Sequence, residues 1–123
     1  MRLSTRVHGM MDYLVGVLLI AIPWLAGFAR GGAETWVPVA VGAASLAYSA
    51  LTDYELGWSR RIAMPAHLLV DGVAGALLTV SPWLLGFDQT VWIPHVVAGL
   101  WIVVTATLTD TIPGYDRRRA GQG

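Results

Sequence analysis

Hydrophobic residues fall in four long runs along the chain, and polar residues gather at the ends of those runs. The first run, 13–28, extends back through His8 and Asp12 and predicts a helix over about 6–28. At 1.5 Å per residue, His8 to Phe28 spans ~30 Å, the thickness of a bilayer's hydrocarbon core. Pro23 cannot donate to the Leu19 carbonyl and crowds it. A kink or a helix end is therefore expected near Ile22, with Trp24 at the membrane interface. A short polar turn, 29–35, carries Gly31-Gly32. A second helix is expected over about 36–53, with Pro38 in its first turn, where a missing N–H does no harm. Its middle is rich in Gly, Ala and Ser, which let backbones approach closely in lipid, so it is expected to be the most buried packing surface. A connector over 54–61 leads to a third helix that begins within 62–66 and ends near 87. After the turn 88–91, a fourth helix is expected over about 92–110.

The third run repeats the first. His8 to Phe28 and His67 to Phe87 align without a gap at an offset of 59 residues, and 10 of the 21 positions are identical. The shared pattern is His-x3-Asp-x3-Gly followed by Pro-Trp-Leu-x-Gly-Phe. The second and fourth runs also echo each other: Trp36-Val37-Pro38 against Trp92-Ile93-Pro94, and Leu51-Thr52-Asp53 against Leu108-Thr109-Asp110. Their offsets differ by one residue, so the second helices carry a one-residue slip. A repeat of this period fixes the architecture before any single residue is interpreted. The chain reads as an all-α membrane protein with four transmembrane helices, arranged as two helical hairpins in a parallel repeat. It is one membrane domain over 1–123, with unit one at about 6–54, unit two at about 62–111, and a polar cytoplasmic tail over 112–123.

Ser81-Pro82-Trp83 near the end of an apolar helix, within a two-helix unit that occurs twice, resembles the SPW-repeat family of small bacterial membrane proteins. The first copy departs from the name motif, with Ile22-Pro23-Trp24 and no serine. The resemblance covers about 6–111. It implies a membrane location and a two-unit build, and it brings no catalytic residues with it.

Composition supports the same picture. The 123 residues are 55% hydrophobic and only 13% charged, about half the charged share of an ordinary soluble domain. So small a soluble protein has too much surface to cover with so few charges, and lipid removes that problem. The formal net charge is zero, so no nucleic-acid partner is expected. The absence of cysteine excludes disulfides, thiol nucleophiles and thiolate metal sites. There is no nucleophile–base pair, phosphate loop or dinucleotide fingerprint, so neither an enzyme nor a cofactor is expected. Arg2 and Arg6 before the first apolar run imitate a signal peptide. Asp12 interrupts that run and the same segment recurs inside the chain, so it is read as a retained span. Arg2, Arg6, Arg60, Arg61, Arg117, Arg118 and Arg119 flank one side of the expected spans, and Arg30 stands alone on the other. Positive charge is retained inside, so both termini and the connector are placed in the cytoplasm of a bacterial inner membrane. Trp24, Trp36, Trp83 and Trp92 then form an aromatic belt on the outer side.

The candidate chemistry is polar and lies near the cytoplasmic side. His8 and Asp12 share one helix face at i,i+4, as do His67 and Asp71, and Asp53 and Asp110 close the second and fourth helices. Asp12 and Asp71 lie about one turn inside the hydrocarbon edge, where an acid must be paired, protonated or facing a wet cavity. In the structural reading, Asp12 pairs with an arginine or caps a neighbouring backbone, and His8 sits among headgroups. An arginine such as Arg60 or Arg61 would compensate the helix-end acids. Three chemical readings stand beside it: a divalent metal on His8, Asp12, His67 and Asp71; a proton or ion path; and a haem between His8 and His67. His95 is expected at the interface and Trp101 in packing or against lipid. The expected partners are the bilayer and either a second copy of the chain or another membrane protein.

Overall fold

A computed structural model describes residues 2–114. The expected tail residues Arg117, Arg118 and Arg119 lie outside the described residues. Within them are four α-helices: α1 (Thr5–Leu25), α2 (Ala33–Ala50), α3 (Met64–Leu84) and α4 (Ile93–Leu108). No strand forms among the described residues, only two isolated β-bridges. α1 and α3 are long and apolar enough to cross a membrane. α2 and α4 are shorter, with 18 and 16 residues. The closest packing is within the pairs α1/α2 and α3/α4, and the two pairs meet more loosely through α2/α3 and α1/α4.

Each pair is drawn together at a glycine crossing. A β-carbon on Gly42 would lie 2.5 Å from the Gly16 carbonyl oxygen, and one on Gly99 would lie 2.6 Å from that of Gly75. Side chains larger than hydrogen would force both crossings apart.

The repeated Pro-Trp-Leu-x-Gly-Phe is a helix stop. α1 continues through Pro23 and ends at Leu25, and α3 continues through Pro82 and ends at Leu84. Gly27 and Gly86 then turn left-handed, with φ of 76° and 74°. Phe28 and Phe87 donate their N–H back to the carbonyls of Pro23 and Pro82, both at 2.8 Å. This is the Schellman arrangement, and both phenylalanines are buried. Pro82 leaves the Leu78 carbonyl without its helical donor, and the Ser81 hydroxyl supplies one at 2.7 Å. Ile22 has no hydroxyl to offer the matching Leu19 carbonyl.

Three expectations are corrected. α2 starts at Ala33, because Glu34 and Thr35 form its first turn: Glu34 accepts from Gly32 N–H, and Thr35 Oγ1 from Arg30 and Gly31 N–H. Pro38 therefore sits inside the helix. Secondly, α2 and α4 stop short of Asp53 and Asp110, because distant chain captures their ends. Ile62 N–H donates to Leu51 O at 2.7 Å and Asp53 N–H to Ile62 O at 2.6 Å. Likewise Leu3 N–H donates to Leu108 O at 2.7 Å and Asp110 N–H to Leu3 O at 2.9 Å. The start of each helix pair is thus bridged to the end of the other. Thirdly, α2 is not the most buried helix. Gly42, Ser45 and Ser49 turn inward, whereas Ala40, Ala43, Ala44 and Ala47 form an outward stripe.

Candidate functional site

The His-x3-Asp repeats meet inside the bundle, near the end where α1 and α3 start. His8 and Asp12 come from α1, His67 and Asp71 from α3, and all four are buried. Each histidine Nε2 faces both carboxylates. His8 Nε2 lies 3.1 Å from Asp12 Oδ1 and 2.7 Å from Asp71 Oδ2. His67 Nε2 lies 2.9 Å from Asp12 Oδ2 and 3.2 Å from Asp71 Oδ2. The result is a square of alternating nitrogens and carboxylates. The expected arginine partner of Asp12 is replaced by the two histidines, and His8 is in the bundle core rather than among headgroups.

A second ring of groups holds the square. His8 Nδ1 meets Thr109 Oγ1 at 2.8 Å, and His67 Nδ1 meets Thr52 Oγ1 at 2.6 Å. Each threonine hydroxyl also lies 2.5–2.6 Å from the carbonyl four residues before it, Thr105 and Tyr48 respectively. A carbonyl has no hydrogen, so the hydroxyl must donate there and can only accept from the ring. That assigns a hydrogen to Nδ1 in both histidines. The carboxylates are held from behind: Tyr54 donates to Asp12 Oδ2 at 3.0 Å, and Tyr48 donates to Asp71 Oδ1. Burial first, then the Asp12 carboxylate, push the Tyr54 phenol above its usual range, so it stays a donor.

The four residues repeat but their contacts do not: Asp12 offers a different oxygen to each histidine, Asp71 offers Oδ2 to both, and both tyrosines come from the first pair. Thr105 and Thr111 stand where Tyr48 and Tyr54 have their counterparts in the second pair. A cavity of about 10 Å³ lies beside Thr105, Asp12 and Asp71, the size of a single water.

Of six acids and histidines expected at one level, four converge. Asp110 stands outside and pairs with Arg2 at 3.1 Å. Asp53 is held by its backbone in the bridge to Ile62. The residues that sequence reasoning missed are Thr52, Thr109, Tyr48 and Tyr54. The signal for the threonines was present: the Leu-Thr-Asp echo repeats them, and it is the middle residue, not the aspartate, that reaches the square. The haem reading fails on space. The rings of His8 and His67 meet edge to face with centroids 5.5 Å apart, and the carboxylates occupy the gap between their nitrogens.

A second polar contact closes the other end. His95 is buried, not interfacial, and packs against Phe28 and Phe87 with centroid distances of 5.4 and 4.8 Å. Its Nε2 donates to the Glu34 carbonyl at 2.9 Å. That carbonyl is the one Pro38 deprives of a helical donor. Leu19 and Leu78, both buried, stand between this layer and the square.

The SPW repeat domain matches residues 6–109 of the chain. No curated protein and no solved structure matches it. The chain belongs to the SPW repeat family.

Proposed function

We propose that the chain is a four-span module of the bacterial cytoplasmic membrane, with both termini on the cytoplasmic side, whose role is structural or accessory rather than enzymatic. The observation that supports this best is an inverted distribution of polarity. Among the described residues, the buried set contains His8, Asp12, Ser45, Ser49, His67, Asp71 and Thr105. The outward faces carry Leu14, Val17 and Leu18 of α1, Leu69, Val73 and Leu77 of α3, and Val97, Leu100 and Val104 of α4. A soluble bundle buries the second set and exposes the first. Lipid accepts this arrangement, and it favours α2 and α4 as spans despite their shorter lengths. Trp24 against Trp36 and Trp83 against Trp92, all about half exposed, mark one interface. Arg2, Arg6, Arg60 and Arg61 lie at the other end.

The outward alanine stripe of α2 suits close contact with a second copy or another membrane protein. A proton or ion conduit finds less support, because Leu19 and Leu78 interrupt the polar groups along the bundle. Reporter fusions at the Gly31-Gly32 turn and at the tail test the topology. Opposite sides are expected, and the same side for both would sink it. Mass measurement in mild detergent tests self-association, and a strictly monomeric particle would remove that part of the reading.

A further inference from the structure

The square closes electrically in two ways. In one, both Nε2 atoms carry a hydrogen, and two imidazolium ions face two carboxylates. In the other, both Nε2 lone pairs and both carboxylates share one divalent cation. Each arrangement is neutral, as burial requires. They differ at His67. Its Nε2 is fully buried, and neither carboxylate oxygen is aligned to complete a hydrogen bond with it. An N–H there meets the two carboxylates only as charge, at 2.9 and 3.2 Å, without an aligned hydrogen bond, whereas a lone pair there is free to serve a cation shared with them.

We propose that His8, Asp12, His67 and Asp71 form a divalent transition-metal site of two nitrogens and two carboxylate oxygens, suited to zinc. One candidate ligand atom from each residue lies within 4.8 Å of the others. The nitrogen–oxygen edges run from 2.7 to 3.2 Å. A tetrahedral zinc ion with bonds of about 2.0–2.1 Å needs edges of about 3.3 Å, so the ligands move apart by a few tenths of an ångström to admit it. The outer ring is what such a site requires. Metal-bound histidines donate their other N–H to a fixed acceptor, and here Thr109 and Thr52 are those acceptors. The tautomer they impose leaves Nε2 free to bind. Tyr54 and Tyr48 orient the carboxylates in the same way. Imidazole nitrogens mixed with carboxylates favour zinc and its first-row neighbours over magnesium or calcium, which prefer oxygen alone.

The test uses the full chain in mild detergent, stripped with a chelator and reloaded with zinc or cobalt(II). One ion per chain is expected by elemental analysis, with a raised melting temperature. The cobalt form should show the intense visible absorption of a four-coordinate centre. His67→Gln should bind zinc at least tenfold more weakly. Thr109→Val keeps all four ligands and should weaken binding by about 10–100-fold. His95→Ala, which removes a buried histidine outside the square, should leave the stoichiometry at one. If His67→Gln does not fold, the wild-type cobalt spectrum and the zinc-dependent melting shift decide. Wild-type protein that takes up no stoichiometric ion and melts unchanged overturns the proposal. Undiminished binding in folded His67→Gln overturns it too, since the ion is then elsewhere. Neither result bears on the membrane topology, which the fusions test separately.

Discussion

Thr109 accepts the Nδ1 hydrogen of His8 at 2.8 Å, across 101 residues of chain. The matching contact, Thr52 to His67, runs the other way between the two helix pairs. Each histidine is therefore supported by the pair to which it does not belong.

Replacing either threonine by valine keeps the shape and removes the acceptor. The buried ring N–H is then unsatisfied, which costs about 1–3 kcal/mol. Thr52→Val and Thr109→Val should each lower the melting temperature in detergent, by similar amounts. Unchanged melting in either variant would mean that the hydroxyl does not hold its ring.

The acids are expected to matter more. Asp12→Asn and Asp71→Asn preserve volume but remove half of the negative charge facing two histidines. Breaking a buried charge pair typically costs about 3–5 kcal/mol. Both variants should be strongly destabilised, and comparably, because each carboxylate meets both rings and one tyrosine. Thermal melts monitored by circular dichroism decide this, and a large difference between the two would refute the equivalence.

Substitutions to alanine should separate glycines by position. Gly42→Ala and Gly99→Ala push a methyl group into the opposing backbone and should cost about 1–3 kcal/mol. Gly72, also helical, has nothing within 4 Å of its missing β-carbon. Gly72→Ala should be neutral or stabilising by up to about 1 kcal/mol. A Gly72→Ala protein that melts as early as Gly42→Ala would contradict the crossing geometry.

His95 and Pro38 are linked through one carbonyl. His95→Leu should destabilise the chain, because the Glu34 oxygen loses its donor. In a Pro38→Ala background the helix can supply an amide hydrogen to that oxygen, so the same change should cost less. A double-mutant cycle reads the coupling directly. Strict additivity would show that the two residues do not share the acceptor.

Much of this arrangement was legible in the sequence. The 59-residue repeat shows two equivalent units, and His-x3-Asp can only place its two polar groups on one helix face. Pro23 signalled a kink or an end near Ile22, but the helix runs on through it to Leu25, and the stop made by Gly27 and Phe28 was not read from the sequence. What was hidden depends on distant chain. The ends of α2 and α4 follow from bridges to Ile62 and Leu3, which no local pattern carries. Tyr48 and Tyr54 were invisible to repeat logic, because the second unit has threonines in their places. The inward and outward faces of α2 could not be told apart, since both are built of small residues.

The crossed bridges and crossed threonines also have a bearing on ancestry. A single hairpin of this design lacks the acceptor for its own histidine and the partner for its own leading segment. It could complete itself only by pairing with an identical copy. Joining two copies in one gene replaces that encounter between separate molecules with an intramolecular one, at an effective concentration set by a short linker. Within one chain the halves need not be identical. Tyr48, Tyr54 and His95, each present in only one half, are the kind of difference that a pair of separate, identical hairpins cannot hold.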